Sequence, residues 1–240
     1  MNIKDKLTIV IPSYNEENYI ERTILTIVKQ YGIQGTRVII ADAFSKDKTR
    51  VKIINLRETY KDTIKIEMVN GGKVGFARNF GGSLVKTKYV LFMDADTVLV
   101  NESNIQDNIN LMEKEHLHLM TCKIKSVGKD IRTSLTFRVF NVVNFFISKK
   151  TPFAVGTYFL TSIDKFKKFK GFDESLQHSE DYYLSKRYNP KQFKISKHYI
   201  GQDDRRFKKM GYYGMIKLVI KSYLNRNNLE FFKRDVNYWV

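Results

Sequence analysis

The first half of the chain alternates short apolar runs with segments whose apolar residues recur at helical spacing. Four runs predict buried strands, because each is rich in β-branched or aromatic residues and ends at polar or turn-forming positions: Leu7–Ile11, Val38–Ala41, Ile64–Val69 and Tyr89–Met93. Helical patterns separate them: Glu17–Gln30, a segment with Val51, Ile54 and Leu56 that Ser45 or Asp47 can cap, and Phe76–Val85. This order predicts an α/β fold with a mostly parallel sheet and right-handed crossovers.

The second half is less regular. Strand-like runs cover Leu117–Ile124 and Ala154–Leu160, and a helix is expected from Ser179 to Tyr188, before Pro190. Further helical patterns cover Phe137–Ile147, Tyr212–Leu224 and Leu229–Val236. Because no linker-like segment interrupts the pattern, we expect one domain over residues 1–210, with a helical extension over 211–240 packed on the same domain.

Composition sets the first limits on function. The 240 residues can form one substantial core. Cys122 is the only cysteine, which is typical of a reducing compartment. The N-terminus lacks the apolar run of a signal peptide, and no run approaches the roughly 20 apolar residues of a membrane-spanning helix. We therefore expect a cytoplasmic protein, or one on the cytosolic face of a membrane.

The formal net charge of +17 indicates a polyanionic partner. Basic residues cluster after the middle of the chain, as in Lys165–Lys170 and Arg205–Lys209. Nucleic acid, anionic lipid and phosphorylated substrates all match such an excess. Lysines on solvated faces account for part of the charge, but not for its clustering.

Two acidic residues end the fourth predicted strand. Asp94 and Asp96 directly follow its apolar run. Ligands of open α/β sheets bind at the carboxyl ends of the strands, and buried charge is costly unless it is paired or bound to metal. The two residues therefore favour a divalent cation and a phosphate-bearing substrate. The alternative is a polar turn in which Asp96 caps the next helix.

The other three strands also end at polar or glycine-rich segments. These are Pro12–Glu16, Asp42 with Ser45, Asp47 and Thr49, and Gly71–Asn79, which includes Lys73 and Arg78. Parallel topology brings all of them to one edge, beside Asp94 and Asp96. Neither the Walker spacing nor Gly-x-Gly-x-x-Gly occurs at these positions, which weighs against simple ATPases and dinucleotide dehydrogenases.

Five motifs in this order resemble family 2 glycosyltransferases. They are Ile9–Glu17, Asp42 with Ser45–Thr49, Gly75–Asn79, Asp94–Asp96, and an acceptor-side set formed by Gly156, Gly171–Glu174 and Glu180–Arg187. The resemblance covers roughly residues 7 to 210. It implies the GT-A fold, a Rossmann-like and mostly parallel central sheet flanked by helices, with a nucleotide-sugar site and an acceptor region after Asp94–Asp96. The predicted C-terminal helical extension follows this range.

Three features depart from the family pattern. Ala41 stands where the second motif usually has the first of two adjacent acids, and Phe44 lies inside that motif. The Gln-x-x-Arg-Trp motif of processive synthases is absent, with Arg205-Arg206-Phe207 near its expected place. We therefore expect non-processive transfer.

The resemblance also implies a role for each donor-side residue. The metal, Mn²⁺ or Mg²⁺, would be bound by Asp96, with Asp94 shared between ribose and metal and His198 completing the site. Donor contacts would come from Pro12, Tyr14 and Asp42 at the base, Glu16 at the base or ribose, and Arg78 and Lys73 at the diphosphate. A UDP-sugar is favoured, and a GDP-sugar is the alternative. For His198 the alternative is an ordinary strand-end histidine, and for Lys73 a solvated turn lysine.

An acceptor hydroxyl needs a base near the anomeric carbon, on the face opposite the diphosphate. We assign this role to Asp181, with Glu180 orienting it or the acceptor, and a single displacement would invert the anomeric carbon. The alternative is the usual preference for acids at a helix N-terminus. His178 is expected to face solvent.

Two predicted helices suggest a membrane-proximal acceptor. Phe137–Ile147 is mostly apolar with one polar stripe (Arg138, Asn141, Asn144) and is followed by Lys149-Lys150, while Tyr212–Leu224 carries Lys217 and Lys221. Such helices can lie on an anionic membrane, which suits a lipid-linked acceptor; a glycan acceptor is also open. Alternatively, both helices pack on the catalytic core or form an oligomer interface.

Two other functions compete with glycosyl transfer. A nucleotidyltransferase usually opens with a glycine-rich, arginine-containing loop, whereas this chain has Pro12–Glu16. A nucleic-acid-binding protein would fit the charge and the 14 tyrosines. It would leave Asp94, Asp96, Glu180 and Asp181 unexplained, so we expect no nucleic-acid partner.

Overall fold

A computed structural model of the protein describes residues 2–234. In its first half, strands β1 to β4 alternate with helices α1 to α3, as the apolar pattern predicts. In chain order they are β1 (Leu7–Ser13), α1 (Ile20–Val28), β2 (Thr36–Asp42), α2 (Thr49–Thr59), β3 (Ile64–Asn70), α3 (Val74–Ser83) and β4 (Tyr89–Phe92).

The second half mixes short strands with helices of very different lengths. Its elements are β5 (Val98–Leu99), α4 (Asn104–Lys114), β6 (Leu119–Ser126), α5 (Ile131–Ser148), β7 (Phe159–Ser162), α6 (Ile163–Lys168), α7 (Glu180–Ser185), β8 (Phe193–Gln202), α8 (Arg205–Leu224) and α9 (Leu229–Phe232).

The eight strands form one sheet in the order β3-β2-β1-β4-β7-β6-β8-β5. The four strands β3, β2, β1 and β4 are parallel. Strand β7 then runs antiparallel to both β4 and β6, and β6 is parallel to β8. Ser13 pairs with Asp42 and Asp42 with Asn70, so the carboxyl ends of β1, β2 and β3 meet at one edge. The predicted α/β fold with a mostly parallel sheet is confirmed.

Both faces of the central strands are covered. Ile9 and Ile11 of β1 belong to one apolar cluster with Ile20, Ile24 and Ile27 of α1, whereas Val10 faces a second cluster with Phe92 and Phe166. Two-sided burial explains why β1 and β4 are continuous apolar runs rather than alternating ones.

Several elements differ from the sequence-based expectation. A strand was predicted over Ala154–Leu160, but the observed strand β7 covers Phe159–Ser162. Residues 154–158 instead form a loop that reaches the functional site described below. The short or polar elements β5, α4, α6 and β8 were not predicted from the pattern. Helix α9 was expected to reach Val236, which lies outside the described residues.

Helix α8 begins at Arg205, seven residues before the predicted start at Tyr212, and it is kinked at Gly211, where φ is +71°. The kink falls at the expected boundary between residues 210 and 211, although the division into a domain and an extension stays a prediction. Within residues 2–234, no helix has the length and apolar character needed to cross a bilayer.

Candidate functional site

Asp94 and Asp96 lie in a tight turn between β4 and β5. The backbone N–H of Thr97 donates to the Asp94 carbonyl at 3.2 Å, and the chain then continues directly into Val98–Leu99. Both acidic residues are buried. Because the next helix begins only at Asn104, Asp96 does not cap it, and the helix-cap alternative is wrong.

A fully buried arginine joins this turn to the acceptor-side motif. Arg78 on α3 has no exposed surface. Its Nη2 donates to Asp94 Oδ1 at 2.7 Å, and its Nη1 donates to Glu180 Oε1 on α7. A guanidinium is suited to such bridging because its planar fork offers donors in two directions. The structure therefore corrects the expectation that Arg78 contacts the diphosphate, since the side chain is enclosed and both Nη atoms are occupied.

Gly156 fits against the same guanidinium. A Cβ atom at this position would lie 2.6 Å from Arg78 Nη2, so only glycine allows the loop to approach so closely. The backbone N–H of Gly156 donates to Asp181 Oδ2 at 2.6 Å, and that of Tyr182 donates to Asp181 Oδ1 at 2.7 Å. The Asp181 carboxylate is thereby fixed beside the Arg78 pairs.

Asn79 attaches a further motif to α3. Its Nδ2 donates to the Phe172 carbonyl at 2.9 Å, and its Oδ1 accepts from the Phe172 N–H at 2.8 Å. The Phe172 ring lies 5.3 Å from the Arg78 guanidinium carbon. The motifs containing Gly75–Asn79, Gly156, Gly171–Glu174 and Glu180–Asp181 therefore assemble around one arginine.

The surroundings of Asp181 raise the pKa of its carboxyl group towards neutral pH. Burial, together with the neighbouring Glu180 carboxylate, raises the pKa of Asp181 to about 7, and the Arg78 guanidinium opposes this rise. A general base works best when its pKa lies near the working pH. Asp181 therefore has the chemistry of a base that can accept a proton from a hydroxyl.

Two arginines at the start of α8 reach into the carboxylate cluster, and sequence reasoning gave neither a role. Arg205 pairs with both oxygens of Glu16, at 2.8 and 2.7 Å, and its Nη2 lies 3.0 Å from Asp96 Oδ2. Arg206 lies 3.9 Å from Asp94 Oδ2. Burial raises the pKa values of Glu16 and Asp96, and Arg205 opposes both rises. The signal in the sequence was the adjacent pair of arginines before Phe207.

Asp96 fits the role of a metal ligand. Its Oδ1 is buried and accepts no hydrogen bond from residues 2–234. Over the same residues, no group of three or more His, Cys, Asp and Glu side chains is arranged to hold a metal. A cation would therefore complete its shell with donor phosphate oxygens and water, which is how Mg²⁺ is usually held in phosphate sites.

His198 does not join the two aspartates, which corrects its assignment as a metal ligand. Its Nε2 lies 2.9 Å from Asp107 Oδ2 on α4. His198 is inside β8, four residues before that strand ends, and its side chain therefore points at the neighbouring helix rather than at the strand's end. The alternative of an ordinary strand histidine describes it better.

The residues predicted to bind the base lie at two strand ends, and the loops that follow are hydrogen-bonded to each other. The Asn15 N–H donates to Ser45 Oγ, and the Lys46 N–H donates to Asn15 Oδ1, both at 2.9 Å. These bonds join the loops that carry the exposed rings of Tyr14 and Phe44. Phe44 has a φ of +58°, a left-handed conformation that is costly for a bulky residue. Sequence reasoning noted Phe44 only as a departure from the family pattern.

The remaining predicted residues have mixed positions. Asp42 is buried and accepts from the N–H and hydroxyl of Ser45 at 3.0 and 2.5 Å, so it stabilises the loop beneath Phe44. Pro12 is half-buried, and Lys73 is exposed just before α3. His178 was expected to face solvent, but it is buried against Phe231 and Phe232 of α9.

Comparison with known families agrees with this arrangement. The sequence model described as glycosyl transferase family 2 matches residues 8–170, which run from the second residue of β1 to beyond β7 and include every donor-side residue except His198. The chain belongs to glycosyl transferase family 2. Membership favours glycosyl transfer over nucleotidyl transfer or nucleic-acid binding, the two functions that the sequence left open.

Relatives of this chain include two poly(ribitol-phosphate) glycosyltransferases. The poly(ribitol-phosphate) beta-N-acetylglucosaminyltransferase TarS of Staphylococcus aureus is 25% identical over 136 residues, which are 54% of this chain and 23% of TarS. A poly(ribitol-phosphate) beta-glucosyltransferase of Bacillus spizizenii is 26% identical over 180 residues, 73% of this chain and 28% of the relative. The chain thus spans about a quarter of the length of either relative.

Solved structures share the fold. TarS residues 1–349 in complex with UDP-GlcNAc superimpose with a TM-score of 0.63 at 23% identity, covering 82% of this chain and 58% of that one. The mannosyltransferase PcManGT of Pyrobaculum calidifontis, in complex with GDP-Man and Mn²⁺, gives a TM-score of 0.68 at 18% identity, covering 82% and 56%. Both are glycosyltransferases of the GT-A type, so the predicted GT-A fold is confirmed.

The Arg78 pairs predict a large stability effect. Arg78→Met would leave the carboxylates of Asp94 and Glu180 buried without their countercharge, so we expect the free energy of unfolding to fall by about 3–5 kcal/mol. Arg78→Lys keeps the charge but cannot bridge both acids in the same way, and we expect a smaller loss. Urea denaturation followed by circular dichroism measures both.

Arg37 provides the matched control, because it pairs with both oxygens of Glu67 at 2.7 and 2.6 Å on the partly exposed side of the sheet. Exposed pairs contribute little, and the Arg37 Nη1 bond to the Leu84 carbonyl at 2.6 Å contributes about 1 kcal/mol, so Arg37→Met should cost about 1–2 kcal/mol. Equal losses for Arg78→Met and Arg37→Met would show that burial of the Arg78 pairs has no special weight.

Proposed function

We propose that the protein is an inverting, metal-dependent glycosyltransferase that moves a sugar from a nucleotide-diphosphate sugar to an acceptor hydroxyl, without processive polymer synthesis. The observation that carries the proposal is the position of Asp181, a carboxylate with a pKa of about 7, linked through Glu180 and Arg78 to the Asp94–Asp96 turn. A base and a leaving-group site are thereby joined in one cluster.

A UDP-sugar is the favoured donor, and a GDP-sugar is the alternative. The relatives' structures support both, since TarS was solved with UDP-GlcNAc and PcManGT with GDP-Man. We assign Pro12, Tyr14 and Phe44 to the base, with Asp42 holding the loop and reaching the base if that loop opens. Asp94 would contact the ribose, Glu16 the base or ribose, and Lys73 the diphosphate.

We assign Mn²⁺ or Mg²⁺ to Asp96, with Asp94 nearby. The free buried oxygen of Asp96 supports this assignment, and so does the Mn²⁺ in the PcManGT complex. A divalent cation at this place would stabilise the negative charge that develops on the departing diphosphate. Arg205 and Arg206 already supply positive charge to the same two carboxylates, so this side of the cluster suits an anionic leaving group.

The chemical step requires little from the protein beyond placement and one proton transfer. Asp181 would accept the proton of the acceptor hydroxyl as its oxygen bonds to the anomeric carbon. The bond from that carbon to the diphosphate oxygen breaks, and its electron pair leaves with the nucleotide diphosphate. One displacement of this kind inverts the anomeric configuration. Glu180, whose carboxylate is held by Arg78, would keep Asp181 in position.

The acceptor that we propose is a glycan or a lipid-linked glycan. TarS and the Bacillus spizizenii relative act on poly(ribitol-phosphate), according to their names, which supports a polyhydroxylated and phosphorylated acceptor. The excess of positive charge in this chain suits such an acceptor. A cytoplasmic location, including the cytosolic face of a membrane, stays a prediction.

Donor turnover tests the proposal without knowledge of the acceptor. Purified protein with Mn²⁺ and a panel of UDP- and GDP-sugars should release nucleotide slowly, because water replaces the acceptor hydroxyl. Asp181→Asn should lower this rate about 100-fold or more, since a positioned base contributes at least that much. The wild-type rate should fall below about pH 7, where Asp181 becomes protonated, and the Asn variant should lack this pH dependence.

The controls separate the base from donor binding. Asp181→Asn should leave the Kd for UDP nearly unchanged, whereas Asp96→Ala should weaken Mn²⁺-dependent UDP binding. Asp164→Asn, at an exposed position of α6, should change neither. Full turnover by Asp181→Asn would overturn the base assignment, and no turnover or UDP binding with any donor would overturn the proposed function.

Replacing Phe44 by glycine should weaken UDP binding without lowering thermal stability. Phe44→Gly removes a ring that we assign to the nucleobase, and base stacking contributes about 1–3 kcal/mol, so the Kd for UDP should rise roughly tenfold. The same change releases the left-handed backbone strain, so the Tm should stay level or rise. Calorimetric titration with UDP and thermal unfolding measure the two effects.

Phe44→Ala removes the ring without giving glycine's backbone freedom, so it should weaken UDP binding and gain no stability. Tyr31→Ala, at an exposed position on the loop after α1, should leave UDP binding unchanged. Phe44→Gly with an unaltered Kd for UDP, or with a clear loss of Tm, would mean that the ring serves the fold rather than the donor.

A further inference from the structure

Helix α5 presents its apolar stripe to solvent and its polar residues to the protein. Five residues at helical spacing form the outward stripe and are 56–82% exposed: Ile131, Leu135, Val139, Val142 and Phe146. The inward face instead carries Thr133, Asn144 and Ser148 around Phe137, all of them buried. A surface helix of a globular protein normally has the opposite arrangement.

The polar inward face is fixed by specific hydrogen bonds. Asn141 donates to the Ile124 carbonyl at 2.7 Å and accepts from the Ile124 N–H at 2.9 Å, which binds α5 to β6. Asn144 donates to the Phe153 carbonyl at 3.3 Å and accepts from Ser148 Oγ at 3.0 Å. Rotating α5 to bury its stripe would break the bonds to Ile124 and Phe153, so the outward apolar stripe belongs to the fold.

The second half of α8 continues this surface. Tyr212 connects the two helices, because its hydroxyl lies 2.7 Å from Thr133 Oγ1 and its ring lies 4.5 Å from the Arg132 guanidinium carbon. No residue after Phe207 is buried in this helix. Its exposed apolar residues again recur at helical spacing: Tyr213, Ile216, Ile220 and Tyr223. We call this stripe and the α5 stripe together the apolar face.

The charges around the apolar face indicate whether it binds a second copy of the chain or a lipid bilayer. Helices α5 and α8 contain no Asp or Glu, and exposed basic residues border the apolar face: Arg138, Lys149, Lys150, Lys217 and Lys221. A second copy of the chain would bring like charges together around the contact, which disfavours self-association. An anionic bilayer satisfies both features, since its interior takes apolar side chains and its headgroups take the basic ones.

We propose that the apolar face of α5 and α8 docks on an anionic lipid bilayer. The face lies next to the helix that carries Asp181. Tyr182 contacts Phe153 with ring centres 5.3 Å apart, Phe153 contacts Phe140 of α5 at 6.0 Å, and the Tyr183 hydroxyl donates to the Arg226 carbonyl just after α8. Docking would therefore bring the acceptor side close to lipid headgroups; this consequence rests on the proposed function, whereas bilayer binding does not.

Vesicle co-sedimentation at low salt tests docking without donor or acceptor. Wild-type protein should sediment with vesicles of equal parts phosphatidylglycerol and phosphatidylcholine, and far less with phosphatidylcholine alone. Leu135→Ser combined with Phe146→Ser should weaken binding about tenfold or more, because two apolar side chains no longer insert. Lys149→Gln combined with Lys150→Gln should weaken it about 25-fold, roughly fivefold for each charge.

Matched pairs elsewhere give the controls. Val51→Ser with Ile54→Ser changes two exposed apolar residues of α2, and Lys167→Gln with Lys168→Gln changes two exposed lysines of α6. Both should bind within about twofold of wild type. Thermal unfolding confirms that each variant folds, and the lysine pair carries the test if the serine pair does not fold.

Two results would overturn the proposal. One is no binding to the anionic vesicles, and the other is equal loss in the test and control variants. If vesicle binding is absent and light scattering shows a concentration-dependent dimer that the α5 serine pair abolishes, the apolar face is a protein interface instead. Donor turnover by wild-type protein in the same preparation separates each of these results from failure of the proposed function.

Discussion

The burial of Arg78 between Asp94 and Glu180 is the constraint on which the rest of the site depends. Removing a charge from water is costly, and a buried ion pair persists only when its partners are placed well and hydrogen-bonded. Here one guanidinium, with no exposed surface, balances carboxylates from two distant parts of the chain. Loss of Arg78 would leave both carboxylates in the interior without their countercharge, so the donor-side turn and the acceptor-side helix are held as one unit.

The neighbouring motif residues pack around Arg78 and hold its partners in place. Gly156 leaves room for the guanidinium, and its N–H fixes Asp181. Asn79 holds Phe172 beside the same side chain. The excess of carboxylates over Arg78 is balanced from the other side by Arg205 and Arg206, which approach Asp96 and Asp94. The cluster thus has cations on both sides: Arg78, which is buried and structural, and the two arginines at the start of α8.

Apolar pattern was enough to predict β1 to β4 within two residues at each end, because strands covered on both faces are continuous apolar runs. It failed for β8 and α4, because both carry polar residues on their contacting sides, where His198 of β8 pairs with Asp107 of α4. The acids of the site were predictable from their place after buried strands. The partners of Arg78 and the loss of His198 from the metal site were not, because these depend on long-range pairing that local pattern does not encode. Arg205 was missed for the same reason.

A double-mutant cycle between Asp94→Asn and Glu180→Gln tests the central claim most directly, with unfolding free energies measured by urea denaturation. No hydrogen bond or ion pair joins these two residues to each other among the contacts described, and both bond to Arg78. If the arginine couples them, removing both carboxylates should cost at least about 1 kcal/mol more than the sum of the single changes, because Arg78 loses both of its paired acids. Additivity within about 0.5 kcal/mol, as is usual for independent sites, would contradict the account.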